Sequence, residues 1–215
     1  MMSRFLHEPT AAAKAYSELR GRVTALLTGS ASYRAGAVVP HCPAWTVKGV
    51  LSHMVGVPED FISGNMEGVT TEAWTQRQVD RHTEDSIDDL LGIWRALDNQ
   101  LDAMVPNVPN PIVSQLVFDQ VTHEHDIRHA IGEPGGRDSA AIAVAEGFMR
   151  FVLSRHPDPA VAALSETPVS GFDFVRCLGG RRSADQVGTA GLDVDAVRLF
   201  MQGMPLEIPR ETIEE

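Results

Sequence analysis

Lysine is nearly absent from this chain. Lys14 and Lys48 are the two lysines in 215 residues, and arginine supplies the rest of the 18 basic side chains. Acidic residues number 29, which leaves a formal charge of −11. The arginines are scattered rather than clustered. No basic stripe exists for a nucleic acid or an anionic membrane surface, so neither is expected as a partner. Cysteine is also scarce. Cys42 and Cys177 lie far apart, which argues against a disulfide framework and leaves two reduced, partly buried thiols. No apolar run approaches the ~18 residues of a membrane span. The opening stretch, from Met1 to Pro9, has no apolar signal core. A cytoplasmic protein is expected.

Hydrophobic residues make up 43% of the chain, enough for an ordinary core. The length suits one domain, or one domain with a small appendix. Apolar residues recur at helical spacing in most of the chain. The patterns predict helices over about Pro9–Leu27, Val47–Val57, Ser86–Met104 and Ile112–Ile131, and from Ser139 to about His156. Thr46 is suited to cap the second of these, and Asp85 or Ser86 the third. Pro58 is expected to break or kink the chain before a short helix over Glu59–Met66. Glu72–Arg81 is ambiguous, with a helix around Trp74 as one reading. The segment Val38–Trp45, with two prolines, reads as loop. In the last fifty-odd residues, Val161–Leu164 and Thr167–Val169 are expected as short strands. Phe172–Leu178, Ser183–Val187 and Asp193–Met201 are expected as short helices. The whole fits a mainly α fold, an antiparallel helical bundle over residues 1–157 with a small α/β or helical appendage over 158–215 packed on it.

Chemistry concentrates between Phe118 and Arg128. On a helical wheel Ile112, Leu116, Asp119, His123, Ile127 and Ala130 fall on one stripe. That is a core stripe interrupted by one carboxylate and one imidazole, and burying both without a partner is costly. Asp119 and His123 are i and i+4, so both can reach one divalent metal. His125 and His129 form a second i,i+4 pair about 200° away on the wheel, so the two pairs cannot share an ion. Two readings stand at this point: a metal site, or a helix with a surface histidine cluster and one satisfied core histidine. His53 is a second polar residue on an apolar stripe, with Val50, Met54 and Val57. Alone, such a histidine is more often a core residue bonded to a carbonyl than a ligand.

Residues 41–53, His-Cys-Pro-Ala-Trp-Thr-Val-Lys-Gly-Val-Leu-Ser-His, resemble the opening motif of the mycothiol-dependent maleylpyruvate isomerase family. That motif joins a Cys-Pro-x-Trp-Thr/Ser turn to a histidine eight residues after the tryptophan. A second signature, an acid, a histidine four residues on and an aspartate three further, is matched by Asp119, His123 and Asp126. The segment after it, through Arg137 and Asp138, is also similar to the family. The resemblance covers roughly residues 10–155 and is weak beyond, where Gly179–Ser183 is similar to a Gly-Arg-Arg-Ser segment of relatives. It implies the DinB/YfiT-like four-helix bundle and one divalent metal, usually zinc, held by His53, Asp119 and His123. Asp119 departs from the glutamate common in the family and is one methylene shorter.

The resemblance further implies mycothiol as co-substrate. The expected function is a metal- and thiol-dependent isomerase or S-transferase acting on a small electrophile, as a monomer or homodimer. The alternative is a non-catalytic bundle, metal-stabilised or small-molecule-binding, in which a fourth protein ligand such as His82 or His125 closes the site. Arg181, Arg182 and Asp126 are weaker candidates for catalytic work. The bland readings are an exposed turn for the arginines and, for Asp126, a solvated acid or an ion pair with Arg128 or Arg22. Some relatives place a C-terminal arginine near the metal, and the sequence does not say whether Arg181 or Arg182 is its equivalent. Cys42 and Trp45 read as packing residues.

Overall fold

The structure is a computed structural model that describes residues 3–29 and 34–215. Outside it lie the first two residues of the N-terminal stretch and part of the loop expected after the first helix. The chain forms a mainly helical bundle. Four long helices carry it: α1 (Pro9–Leu27), α2 (Val47–Ser63), α4 (Ile87–Met104) and α5 (Ile112–Ile131). Between α2 and α4 lies α3 (Glu72–Arg81), and α6 (Ala140–Leu153) follows α5. Among the described residues, no helix is long and apolar enough to cross a membrane.

Local chemistry sets most boundaries. Thr46 caps α2 by accepting a hydrogen bond from the Gly49 N–H. Ser86 and Asp89 form a reciprocal capping box at the start of α4. Gly132, left-handed at φ 68°, closes α5. Pro58 does not break the chain. It lies buried inside one continuous helix, Val47–Ser63, so the expected break and the separate helix over Glu59–Met66 are corrected. A proline removes one N–H from the ladder, and the packing of a buried helix outweighs that loss here. The segment read as loop contains a small antiparallel hairpin, β1 (Val38–Val39) and β2 (Cys42–Thr46), with a register irregularity at Val38 and Val39.

Helix α5 is buried almost all round, from Gln120 to Ile127. Its apolar core positions are Val113, Val117, Val121 and Ile127. The stripe drawn from the sequence is therefore displaced. Ile112 is 52% exposed, and Leu116 is half-buried. Leu116 packs against the edge of the core, and both it and Asp119 line a cavity.

After α6 the chain forms α7 (Pro159–Ala163), α8 (Gly171–Leu178), α9 (Ala184–Thr189) and α10 (Val194–Met201). The strands expected over Val161–Leu164 and Thr167–Val169 do not form. Val161 and Ala163 belong to α7, Leu164 opens a 3-10 turn, and Thr167–Val169 is irregular. Asp158 explains the first of these, because its side chain accepts from the N–H groups of Ala160 and Val161 and nucleates a helix. Two apolar clusters share α6. Ala141, Ile142, Val144 and Ala145 pack with α1, α2, α4 and α5, while Phe148, Met149 and Leu153 pack with α7 to α10. The tail then returns across α8. Gly180, at φ 73°, admits it, since a β-carbon there would stand 2.8 Å from the Glu207 carbonyl oxygen.

Candidate metal centre

Helix α2 presents His53 inward, 3% exposed. Its Nδ1 lies 2.7 Å from Oε1 of Gln78 on α3. An amide oxygen only accepts, so in the neutral ring Nδ1 carries the proton and Nε2 keeps its lone pair. Gln78 is itself fully buried and donates to Asp60 Oδ2 at 2.8 Å. Helices α2 and α3 approach closely here. A β-carbon at Gly56 would lie 2.5 Å from Gln78 Cβ.

Helix α5 supplies Asp119 and His123, one turn apart. His53 Nε2 is 3.4 Å from Asp119 Oδ1, and His123 Nε2 is 3.9 Å from the same oxygen. One donor atom from each of the three residues lies within 4.8 Å of the others. The imidazoles meet edge to face with centroids 4.9 Å apart, and the Trp45 ring stands 5.7 Å and 6.3 Å from them. Trp45 thus walls this cluster. Two imidazoles and one carboxylate with converging atoms fit a divalent ion, for which bonds of about 2.0–2.2 Å are usual.

The other nitrogen of His123 points at Asp126. Nδ1 is 3.2 Å from Asp126 Oδ2, at ion-pair distance but without a hydrogen bond's angle. Asp126 is fully buried between two guanidiniums: Arg176 donates to Oδ1 at 2.8 Å and Arg181 to Oδ2 at 2.8 Å. Arg176 and Arg182 are held in turn by Glu215, at 2.6 Å each. Arg181 and Arg182 are each 8% exposed, so the exposed-turn reading of this pair is corrected. So is the pairing of Asp126 with Arg22 or Arg128. Those two arginines bind Glu124 instead.

Burial and charge set the protonation of the cluster. Burial works against the Asp119 carboxylate, but the neighbouring imidazoles of His53 and His123 and the amide of Gln120 hold it below the usual carboxylate range. Burial also disfavours a charged His53, and the Asp119 carboxylate outweighs it, so His53 titrates above an ordinary imidazole. For His123 burial prevails and its pKa is lowered. Asp126 lies well below its ordinary value because Arg181 and Arg176 overcome its burial. Burial pushes the Cys42 thiol up to about 11, which leaves it an inert neighbour 3.7 Å from Asp126.

The remaining histidines fall elsewhere. His125 packs edge-on to Phe172 at 4.7 Å, and His129 faces His41 at 5.1 Å. His82 is bound to Glu59 and Asp85. Two other groups of possible ligands occur among the described residues, His41 with His129 and Glu215, and Cys42 with His123 and Asp126. In both, the carboxylate is already occupied by two arginines. Asp119 has no arginine partner, and its side chain is 36% exposed.

That exposure opens onto a cavity of about 300 Å³ between α2, α3 and α5, lined by Phe61, Met66, Val69, Trp74, Ile112 and Leu116 among others. Sequence reasoning missed Gln78, Arg176 and Glu215. Gln78 sits in a helix of weak pattern, and the two ion-pair partners are brought to Asp126 by the folding of the tail. The mycothiol maleylpyruvate isomerase N-terminal domain family model matches residues 16–128, just over half of the chain. No curated protein and no solved structure matches it. The match spans His53, Asp119, His123 and Asp126, the residues that converge in the bundle, and the chain belongs to the mycothiol maleylpyruvate isomerase N-terminal domain family.

Proposed function

We propose that this chain is a metal-dependent enzyme that joins a low-molecular-weight thiol, mycothiol by family, to a small electrophile. The single observation that carries the reading is the convergence of His53 Nε2, Asp119 Oδ1 and His123 Nε2 from two helices beside an open cavity. Three protein donors leave at least one coordination position free. A divalent ion such as zinc, when bound, lowers the pKa of a thiol and makes the thiolate available near neutral pH.

The chain's own residues do the rest. Gln78 fixes the tautomer of His53 and aims Nε2 at the site. Asp126, clamped by Arg176 and Arg181, orients His123 from the opposite side. These arginines are therefore positioning groups rather than substrate ligands. Asp119 contributes the negative charge that offsets part of a dication's. Trp45 keeps water from the imidazole side. Sulfur would then add to one carbon of a conjugated double bond in the cavity, and the π electrons would pass to the neighbouring conjugated system. If that system takes the proton the thiol gave up, the S–C bond persists as a transfer product. If it rotates and expels the thiolate again, the double bond re-forms as an isomer. A purely structural site would want a fourth protein ligand, and His82 and His125 are engaged elsewhere.

The test is metal analysis followed by thiol consumption with mycothiol and a panel of electrophiles. Turnover lost on chelation and restored by zinc supports the reading. Turnover indifferent to chelation contradicts it.

A further inference from the structure

The cavity beside Asp119 has a chemical character that narrows the electrophile. Its volume, about 300 Å³, is at the small end of ligand sites. Asp119 is the single ionised side chain in its lining, and the other polar lining groups are Thr70 and Gln115. Everything else there is aliphatic, aromatic or thioether. Among the described residues, no lysine, arginine or histidine belongs to the lining to receive a carboxylate.

The rim is apolar as well. Met66, Val69 and Ile112 are 39%, 40% and 52% exposed, and they are three of the five large hydrophobic side chains the described surface leaves open. Apolar groups gathered at one mouth mark a binding site more often than chance exposure does. The walls are built to stay in place. Trp74 donates its indole N–H to the Asn65 carbonyl at 3.2 Å, which settles its polar edge. The turn carrying Val69 is closed by backbone hydrogen bonds from the Val69 N–H to the Met66 carbonyl at 3.2 Å and from the Thr71 N–H to the Gly68 carbonyl at 3.0 Å.

We infer that this cavity takes an uncharged, apolar electrophile, aromatic or short-chain, and rejects one that carries carboxylates. The inference rests on the proposed reading only in calling the ligand an electrophile. Away from the ion proposed at Asp119, whose free position the thiol would take, a carboxylate entering here would shed its water without gaining a cation. Maleylpyruvate, for which the family is named, is such an acid, so this member would act on a different class of substrate.

The test uses the full chain, stripped of metal by a chelator and again after zinc is restored, with two probes of similar size: neutral 4-nitroanisole and anionic 4-nitrobenzoate. Binding is read by calorimetry and by tryptophan quenching. The neutral probe is expected to bind about tenfold or more tightly than the anion. Ile112→Arg, at a half-exposed position in the first turn of α5, should weaken the neutral probe and strengthen the anion. Leu116→Arg, deeper in the wall, should do so more strongly, with circular dichroism confirming the fold of each. Equal or tighter binding of 4-nitrobenzoate to the unsubstituted chain would overturn the inference. So would failure of both probes to bind, or indifference of the neutral probe to both variants. Because the probes are also read without metal, these outcomes are independent of a metal titration. A chain that prefers 4-nitroanisole but binds no ion defeats the metal reading alone.

Discussion

Asp126 Oδ2 stands 3.2 Å from His123 Nδ1, and two buried arginines hold the carboxylate there. An acid behind an imidazole orients the ring and raises its basicity toward whatever the other nitrogen binds. Here the acid is fixed by residues about fifty positions further along the chain. The C-terminal segment thereby reaches the cluster without touching it.

Replacing Asp126 by Asn should damage both stability and binding. It leaves Arg176, fully buried, with one of its two acid partners and Arg181 with none. Breaking a buried pair in this way costs about 3–5 kcal/mol. Zinc affinity should also fall about 10–100-fold. Urea denaturation of chelated protein measures the first, and metal titration the second. A variant as stable as the parent would show that the arginines do not depend on Asp126.

Gln78→Met keeps most of the volume and removes the bonds to His53 and Asp60. Zinc affinity should drop about tenfold or more, as for other lost partners of metal-bound histidines. Gly56→Ala attacks the same contact from α2, because its methyl group would stand 2.5 Å from Gln78 Cβ. It should cost about 1–3 kcal/mol through overpacking and weaken the metal as well. Unchanged affinity in both variants would leave Gln78 a packing residue.

Asp119→Asn should lower zinc affinity by far more than its size change suggests, since the amide brings no charge. On the helical wheel alone Asp119 is a buried charge, unpaired without metal, and its removal is expected to leave the metal-free chain equally or more stable. The structure alters that expectation. The side chain is 36% exposed and faces two imidazoles at 3.4 Å and 3.9 Å. Metal-free stability should therefore change by less than about 1 kcal/mol, whichever its sign. Thermal melting of chelated protein checks this. Asp119→Glu, which restores the acid common in relatives, should keep the metal.

Acid should destabilise the fold through His41. Burial lowers its pKa to about 4, with the Arg176 charge adding to the effect. The unfolded ring titrates near 6.5. The folded state thus binds fewer protons between these values, and stability falls as pH drops from about 6.5 to about 4. The loss, reduced by solvent screening, is about 1–2 kcal/mol and levels off once the folded ring also protonates. Neither ring nitrogen of His41 has a hydrogen-bond partner in the fold, so His41→Met should flatten this pH dependence at little other cost. Denaturation midpoints at several pH values decide it. An unchanged slope in the variant would assign the acid sensitivity to other groups.

The long helices were legible because their signals are local. The spans of α1 and α5 coincide with those read from apolar spacing, and Ser86, one of two cap candidates for α4, is its N-cap. Hairpin strands of two and five residues carry too little pattern to compete with two nearby prolines. Pro58 misled because a helix buried on several sides tolerates one missing bond. Val161–Leu164 misled because a run of small apolar residues suits strand or helix, and Asp158 decides for helix. In the site, His53, Asp119 and His123 stood out as polar groups on apolar stripes. Arg181 and Arg182 did not, because the acids that hold them, Asp126 and Glu215, lie 55 and 33 residues away. An acid's partner across such a distance leaves no mark on local periodicity.

The most direct measurement is zinc titration of the purified, chelated chain, with bound metal counted by mass spectrometry. The account expects one ion per chain, lost in His53→Ala and in His123→Ala, and retained when His125 and His129 are both replaced by Ala. Those last two lie on another face of α5, beside Phe172 and His41. Retention of the ion in His53→Ala, or its loss with the fold intact in the His125 and His129 double replacement, would contradict the account and move the metal to the other side of the helix.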